Sequence, residues 1–120
     1  MNPIHHIELT VSDLVRSLDF YKTLLLALDW KELRSGIYLK DGCEIYLKAA
    51  PISDAGLHCG PRHICLRASS RDEVDRIGAL LTSRGTPIIR GPLAMQKYSA
   101  TYYTVDFRDP DGFVLEVAHD

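Results

Sequence analysis

The chain repeats itself. Residues 6–11 read His-Ile-Glu-Leu-Thr-Val and residues 63–68 read His-Ile-Cys-Leu-Arg-Ala, each opening with His-Ile and continuing with alternating apolar residues. Such alternation marks a half-buried strand. Its recurrence constrains the fold more than any single motif, because two copies of one unit must each bury the same face. A helix signal follows each copy. Ser12 is placed to cap a helix whose apolar stripe is Leu14, Leu18, Tyr21 and Leu25, and Ser70 with Glu73 forms a capping box ahead of Val74, Ile77 and Leu81. Gly85 is expected to end the second helix in the left-handed conformation. Short strand-like runs come next: 28–33, 36–40 and 43–49, then 86–90, 101–107 and 113–118. Asp41-Gly42 and Asp109-Pro110-Asp111-Gly112 supply tight turns. The order is β-α-β-β-β, twice. The predicted fold is α+β: a single domain over 1–120 made of a module at 1–50, a Pro/Gly/Ser-bearing linker at 51–61 and a module at 62–120. Its curved mixed sheets are expected to form a cup, with the helices on the outer face.

Composition narrows the function. A chain of 120 residues is about one domain by length, and 46% hydrophobic with 25% charged residues excludes disorder. Fourteen Lys and Arg against sixteen Asp and Glu leave a net charge of −2, which provides no broad positive field for nucleic acid or anionic lipid. No apolar run approaches the roughly 20 residues of a bilayer span. The opening MNPIHHIELTVSD lacks the pattern of a secretory leader, so a cytoplasmic location is expected. Cys43, Cys59 and Cys65 show no CxxC spacing and read as reduced thiols.

Strand parity sorts side chains by face. Ile7, Leu9, Val11, Ile45, Leu47, Ile64, Leu66, Tyr103, Val105, Phe107, Phe113, Leu115 and Val117 fall on a face that must pack under the helices. The other face holds His6, Glu8 and Thr10; Glu44, Tyr46 and Lys48; His63, Cys65 and Arg67; Tyr102, Thr104 and Asp106; and Val114, Glu116 and Ala118. Any one of these polar residues taken alone is ordinary on a solvated sheet face. The group is less ordinary, because His6 and His63 hold the same place in the two repeats and Glu44 and Glu116 each follow an Asp-Gly turn. Two imidazoles with one or two carboxylates suit Zn, Ni, Co, Mn or Fe(II), not Ca or Cu(I). Three or four such ligands leave positions for water or substrate.

The segments HHIELTVSDLVRSLDFY (5–21), GLHCGPRHICLRA (56–68) and YYTVDFRDPDGFVLEVAH (102–119) resemble the vicinal oxygen chelate superfamily. That group includes glyoxalase I, methylmalonyl-CoA epimerase, extradiol dioxygenases, fosfomycin-resistance enzymes and bleomycin-resistance proteins. The resemblance implies a glyoxalase-like enzyme with His6, Glu44, His63 and Glu116 at the metal positions, and Glu116 or Glu44 as the base that moves a carbon-bound proton. A three-ligand set of His6, His63 and Glu116 serves the fosfomycin and dioxygenase branches. A shift of two residues would exchange Glu44 for Tyr46. The epimerase usually has Gln where Glu44 stands. Thr10 and Lys48 replace an Arg and an Asn that help hold glutathione in glyoxalase I, which points away from lactoylglutathione lyase itself.

By the same resemblance the substrate is a small molecule with neighbouring oxygens, and the chain is a homodimer whose sites draw on one chain or on both. Tyr46, Lys48, Arg67, Tyr98 and Tyr102 are candidate substrate contacts on or near the cup face. A bleomycin-resistance-like protein that sequesters a ligand without catalysis is the alternative from another class, with dioxygenase or fosfomycin-resistance chemistry a further one. His5 is expected to turn with Ile7 to the packed face, and His58 and His119 read as solvated. The stretch from Arg90 to Tyr98 reads as a loop or a lid.

Overall fold

The computed structural model describes residues 3–50 and 63–120. Among them are two helices and eight strands: β1 (His6–Val11), α1 (Leu14–Ala27), β2 (Lys31–Arg34), β3 (Ile37–Lys40), β4 (Cys43–Ala49), β5 (Ile64–Arg67), α2 (Arg71–Ser83), β6 (Ile88–Ala94), β7 (Tyr103–Arg108) and β8 (Val114–His119). The chain divides into two compact units, residues 1–59 and 60–120, each carrying one β-α-β-β-β module. The architecture is α+β with tandem modules. The expected linker 51–61, with His58 and Cys59, lies outside the described residues. Among the described residues no helix is long and apolar enough to cross a membrane.

In the first module the sheet order is β1-β4-β3-β2. β1 runs parallel to β4, and the other pairs are antiparallel. A parallel pair needs a crossover between its strands, and α1 is part of it. This helix begins one residue later than a Ser12 cap predicts. Asp13 has extended backbone and its carboxylate accepts the Arg16 amide at 3.0 Å. A carboxylate there also meets the positive end of the helix dipole, an advantage a hydroxyl lacks. The buried stripe is Ser17, Tyr21, Leu24 and Leu25, while Leu14, at the first helical position, stays exposed. At the far end Lys40 donates to the Leu28 carbonyl at 2.6 Å, placing a cation where the helix carbonyls are unpaired. The strand expected from residue 28 starts at Lys31, because the Leu28 and Asp29 amides still close the helix and Asp29 turns the chain with φ 64°.

The second module has sheet order β5-β8-β7-β6, with β5 parallel to β8. The Ser70 hydroxyl accepts the Glu73 amide at 3.1 Å, and buried Glu73 returns to the amide of Ser69, one residue before the usual partner. Val74, Ile77 and Leu81 are buried and Gly85 closes the helix at φ +76°, as the sequence predicts. The Asp109 carboxylate accepts the amides of Asp111 and Phe113 at 2.9 and 2.8 Å, which tightens the turn between β7 and β8.

Two expectations are corrected here. The stretch from Arg90 is no loop at its start: β6 runs through Gly91 and Pro92 to Ala94, paired with β7 across register shifts that accommodate the proline on this edge strand. The second sheet also lacks a plain wet face. Thr104, Glu116 and Ala118 are buried alongside Leu66, Val105, Phe107, Leu115 and Val117 on the opposite side.

Candidate active site

Glu116 lies mid-strand in β8 and is 5% exposed. Its Oε2 is 3.1 Å from Nε2 of His63, and its Oε1 accepts the hydroxyls of Tyr102 at 2.6 Å and Thr104 at 2.8 Å. Strand register builds this arrangement. Asp106 is directly opposite Glu116 on β7, and Thr104 follows two residues along on the same face. A buried carboxylate is costly unless it is hydrogen-bonded, and here one oxygen is held by hydroxyls while the other faces an imidazole. Burial and the hydrogen bond to Glu116 push the Tyr102 hydroxyl well above the usual phenol range, so it remains a donor. Cys65 is exposed as a residue, but its thiol is crowded beside Tyr102 and Glu116. Burial, reinforced by the Glu116 charge, raises it to about 11, so it is not a thiolate at neutral pH.

A cavity of about 710 Å³ opens beside His63 and Glu116. Tyr98 and Tyr102 line it and meet edge-to-face at 5.4 Å. Ile89 and Val114 add apolar surface, and Arg90, Lys97 and Arg108 bring three cations. Arg90 Nε donates to Asp106 Oδ2 at 2.7 Å, and its guanidinium is held further by contact with Tyr98.

In the first module His6 opens β1 opposite Glu44 on β4. Tyr46 donates to Glu44 Oε2 at 2.5 Å, and its ring is 5.3 Å from that of His6. The bond to Glu44 raises the Tyr46 hydroxyl above its ordinary range. His5 does not turn to the packed face. It precedes the first residue of β1, escapes the strand's alternation and stays exposed, with Nδ1 2.9 Å from Nδ1 of His6. Lys48 pairs with Glu8 at 3.9 Å, both largely in solvent. Arg67 is exposed at the end of β5 opposite Ala118, away from the cavity lining. His119 is half-buried, its Nδ1 3.3 Å from the Ala68 carbonyl oxygen, and is not simply solvated.

Each module therefore presents a histidine and a glutamate. Among the described residues no group of three or more His, Cys, Asp and Glu side chains stands close enough to hold a metal ion. The modules also differ in register. Glu44 faces His6, whereas Glu116 faces Cys65, two residues past His63. The counterpart of Glu116 in the first module is the residue facing Glu8, which is Tyr46. Sequence reasoning missed Arg90, Lys97 and Arg108, and the Thr104 bond to Glu116. Carrying strand parity two residues past Asp106 reaches Arg108. Lys97 lies in a turn, where parity has no meaning.

The model of the Glyoxalase/Bleomycin resistance protein/Dioxygenase superfamily matches residues 3–117. The chain is 32% identical to the uncharacterized protein YqjT of Bacillus subtilis, over 95% of this chain and 96% of that one. Its fold matches the crystal structure of a candidate glyoxalase from Bacillus halodurans with a TM-score of 0.84 and 25% identity, covering 99% of this chain and 96% of the other. It also matches the fosfomycin resistance protein FosX from Listeria monocytogenes with a TM-score of 0.73 and 19% identity, over 100% and 92% of the two chains, a likeness of fold alone.

Proposed function

The chain belongs to the Glyoxalase/Bleomycin resistance protein/Dioxygenase superfamily, and from that premise we propose that it is a metal-dependent enzyme performing glyoxalase-type isomerase or lyase chemistry on a small molecule with neighbouring oxygens. The observation that carries this reading is the His63–Glu116 pair, in which hydroxyls orient a buried carboxylate from one side and leave its other oxygen toward an imidazole at 3.1 Å. The donor chemistry fits a divalent ion. Imidazole and carboxylate suit Zn, Ni, Co, Mn or Fe(II), and neither Glu116 nor Glu44 is neutralised by a lysine or arginine among the described residues.

His6, His63 and Glu116 would hold the ion. This three-ligand set is the one that the resemblance to the superfamily implies, with a homodimer as the expected assembly. When bound, such an ion supplies Lewis-acid polarisation of adjacent substrate oxygens. The chain's own residues supply the rest. Tyr102 and Thr104 fix Glu116, and Tyr46 fixes one oxygen of Glu44 while the other is available to take a carbon-bound proton. The register difference between the modules supports Glu44 as base and not as fourth ligand.

Purified protein should contain a transition metal, and adding Zn²⁺, Ni²⁺ or Mn²⁺ to metal-free protein should raise its melting temperature. His63→Ala should lose both effects. Protein that neither carries a metal nor gains stability from one would instead act as a ligand-sequestering module of the bleomycin-resistance kind.

A further inference from the structure

We propose that Tyr102 makes Glu116 a one-oxygen ligand, and that this keeps a second position of the metal open for the neighbouring oxygens of the substrate. The proposal rests on the metal-dependent reading above, with His6, His63 and Glu116 as the protein ligands, and Tyr102 enters it as a positioning residue that acts through Glu116.

The two oxygens of Glu116 are committed in different directions. Oε2 is 3.1 Å from Nε2 of His63. Two bonds of about 2.1 Å meeting at a right angle span about 3.0 Å, so these atoms already have the spacing of neighbouring ligands on one ion. Oε1 is turned to hydroxyls instead, at 2.6 Å from Tyr102 and 2.8 Å from Thr104. For the carboxylate to chelate through both oxygens, Oε1 must leave those donors.

Thr104 opposes that move weakly. Its single hydroxyl proton has other acceptors within reach, the Val117 carbonyl at 3.1 Å and Asp106 Oδ1 at 3.4 Å. The Tyr102 hydroxyl has no such choice. Its remaining contact among the described residues is the Cys65 sulfur at 4.0 Å, a weak acceptor. The tyrosine is also held in place: its ring meets Tyr98 edge-to-face at 5.4 Å, and its carbonyl accepts the Met95 amide at 2.9 Å. A carboxylate that turned both oxygens to the ion would leave this hydroxyl behind.

A catalytic Zn²⁺ with three protein ligands takes a fourth partner and expands to a fifth during reaction. With Glu116 on one oxygen, two of those positions are free; with Glu116 on both, one is. A molecule that binds through two adjacent oxygens needs the first arrangement, whereas a ligand with one donor atom is served by either. Tyr102 therefore bears on the class of molecule accepted.

The test compares the full-length chain with Tyr102→Phe, both saturated with Zn²⁺. Infrared difference spectra of protein labelled with ¹³C-glutamate, with the Glu116→Gln spectrum subtracted, give the separation of the Glu116 carboxylate stretches, wide for one-oxygen and narrow for two-oxygen ligation. Calorimetric titration with acetohydroxamate, which binds through two neighbouring oxygens, and with azide, which binds through one nitrogen, reads the open positions. Tyr102→Phe should narrow the separation and weaken acetohydroxamate by about tenfold or more, the scale of losing a partner behind a metal ligand, with azide held within about threefold. Placing 3-fluorotyrosine at position 102, which keeps the hydroxyl, should preserve the behaviour of the unaltered chain. Two-oxygen ligation in the unaltered chain overturns the proposal, as does an unchanged separation in Tyr102→Phe or an equal weakening of both probes. Failure of the unaltered chain to take up Zn²⁺ overturns the functional reading and this proposal together, whereas uptake with unchanged stretches overturns this proposal alone.

Discussion

Glu116 stands opposite Cys65 on the neighbouring parallel strand, one pleat beyond His63. The first module instead sets Glu44 straight across from His6 and gives the place matching Glu116 to Tyr46. The two glutamates therefore have different surroundings, one buried beneath hydroxyls and one half-buried and held through a single oxygen.

That difference separates their roles. Glu116→Gln should lower Zn²⁺ affinity by at least about tenfold, whereas Glu44→Gln should leave it within about threefold while cutting turnover by about a hundredfold or more. Competition with a chromogenic chelator measures the first quantity and steady-state assay the second. Equal losses of metal from both variants would restore Glu44 as a fourth ligand.

The contact between His5 and His6 joins two Nδ1 atoms, so one must carry a proton and the other a lone pair. With His6 donating, its Nε2 is the unprotonated nitrogen that a metal takes. His5→Ala should then weaken Zn²⁺ binding by about tenfold, with little change in melting temperature because His5 is exposed. Histidine ¹⁵N shifts of the metal-free chain should show His6 protonated on Nδ1, and the variant should lose that bias. Unchanged affinity together with an unchanged tautomer would rule the role out.

Tyr38 is fully buried, and among the described residues its hydroxyl has no hydrogen-bond partner. Burial, with the Glu32 charge adding to it, pushes the phenol up to about 12. A raised group ionises more readily once the chain unfolds. Its contribution to stability is therefore complete below about pH 10 and lost as pH climbs through about 12, a loss on the order of 2–3 kcal/mol. Tyr38→Phe should be nearly neutral at pH 7 and should show a correspondingly smaller loss between pH 9.5 and 12 in urea denaturation. Identical alkaline behaviour of the two proteins would contradict this account.

Gly78 lies in α2 where an added Cβ would come 2.6 Å from Pro92 Cγ. Helix propensity alone favours alanine at an interior helical position by about 1 kcal/mol. The clash should outweigh it. Gly78→Ala is expected to lower stability by about 1–3 kcal/mol, measured by thermal unfolding, and a rise in melting temperature would show that β6 yields without cost.

The tandem repeat was legible because His6–Val11 and residues 63–68 keep their alternation through identical roles in each module. The capping box at Ser70 and the turn at Asp109 were legible because each is built by residues within four positions of one another. What escaped depends on contacts distant in sequence or on the last residue of an element. Asp13 displaced Ser12 as a cap by one position, and Pro92 hid a strand by lacking a donor that an edge strand can spare. Parity put Glu44 and Glu116 on the correct strands, but only the pairing of β1 with β4 and of β5 with β8 reveals that their partners differ.

Since β6 keeps its pairing across Gly91 and Pro92, Ile89 and Arg90 reach the cavity from ladder-bound backbone and not from a hinged flap. Entry and exit on that side need no segment to swing aside. Where Ile89 and Arg90 form the wall, altering what the cavity accepts calls for exchanging side chains, while Lys97 and Tyr98 face it from a turn.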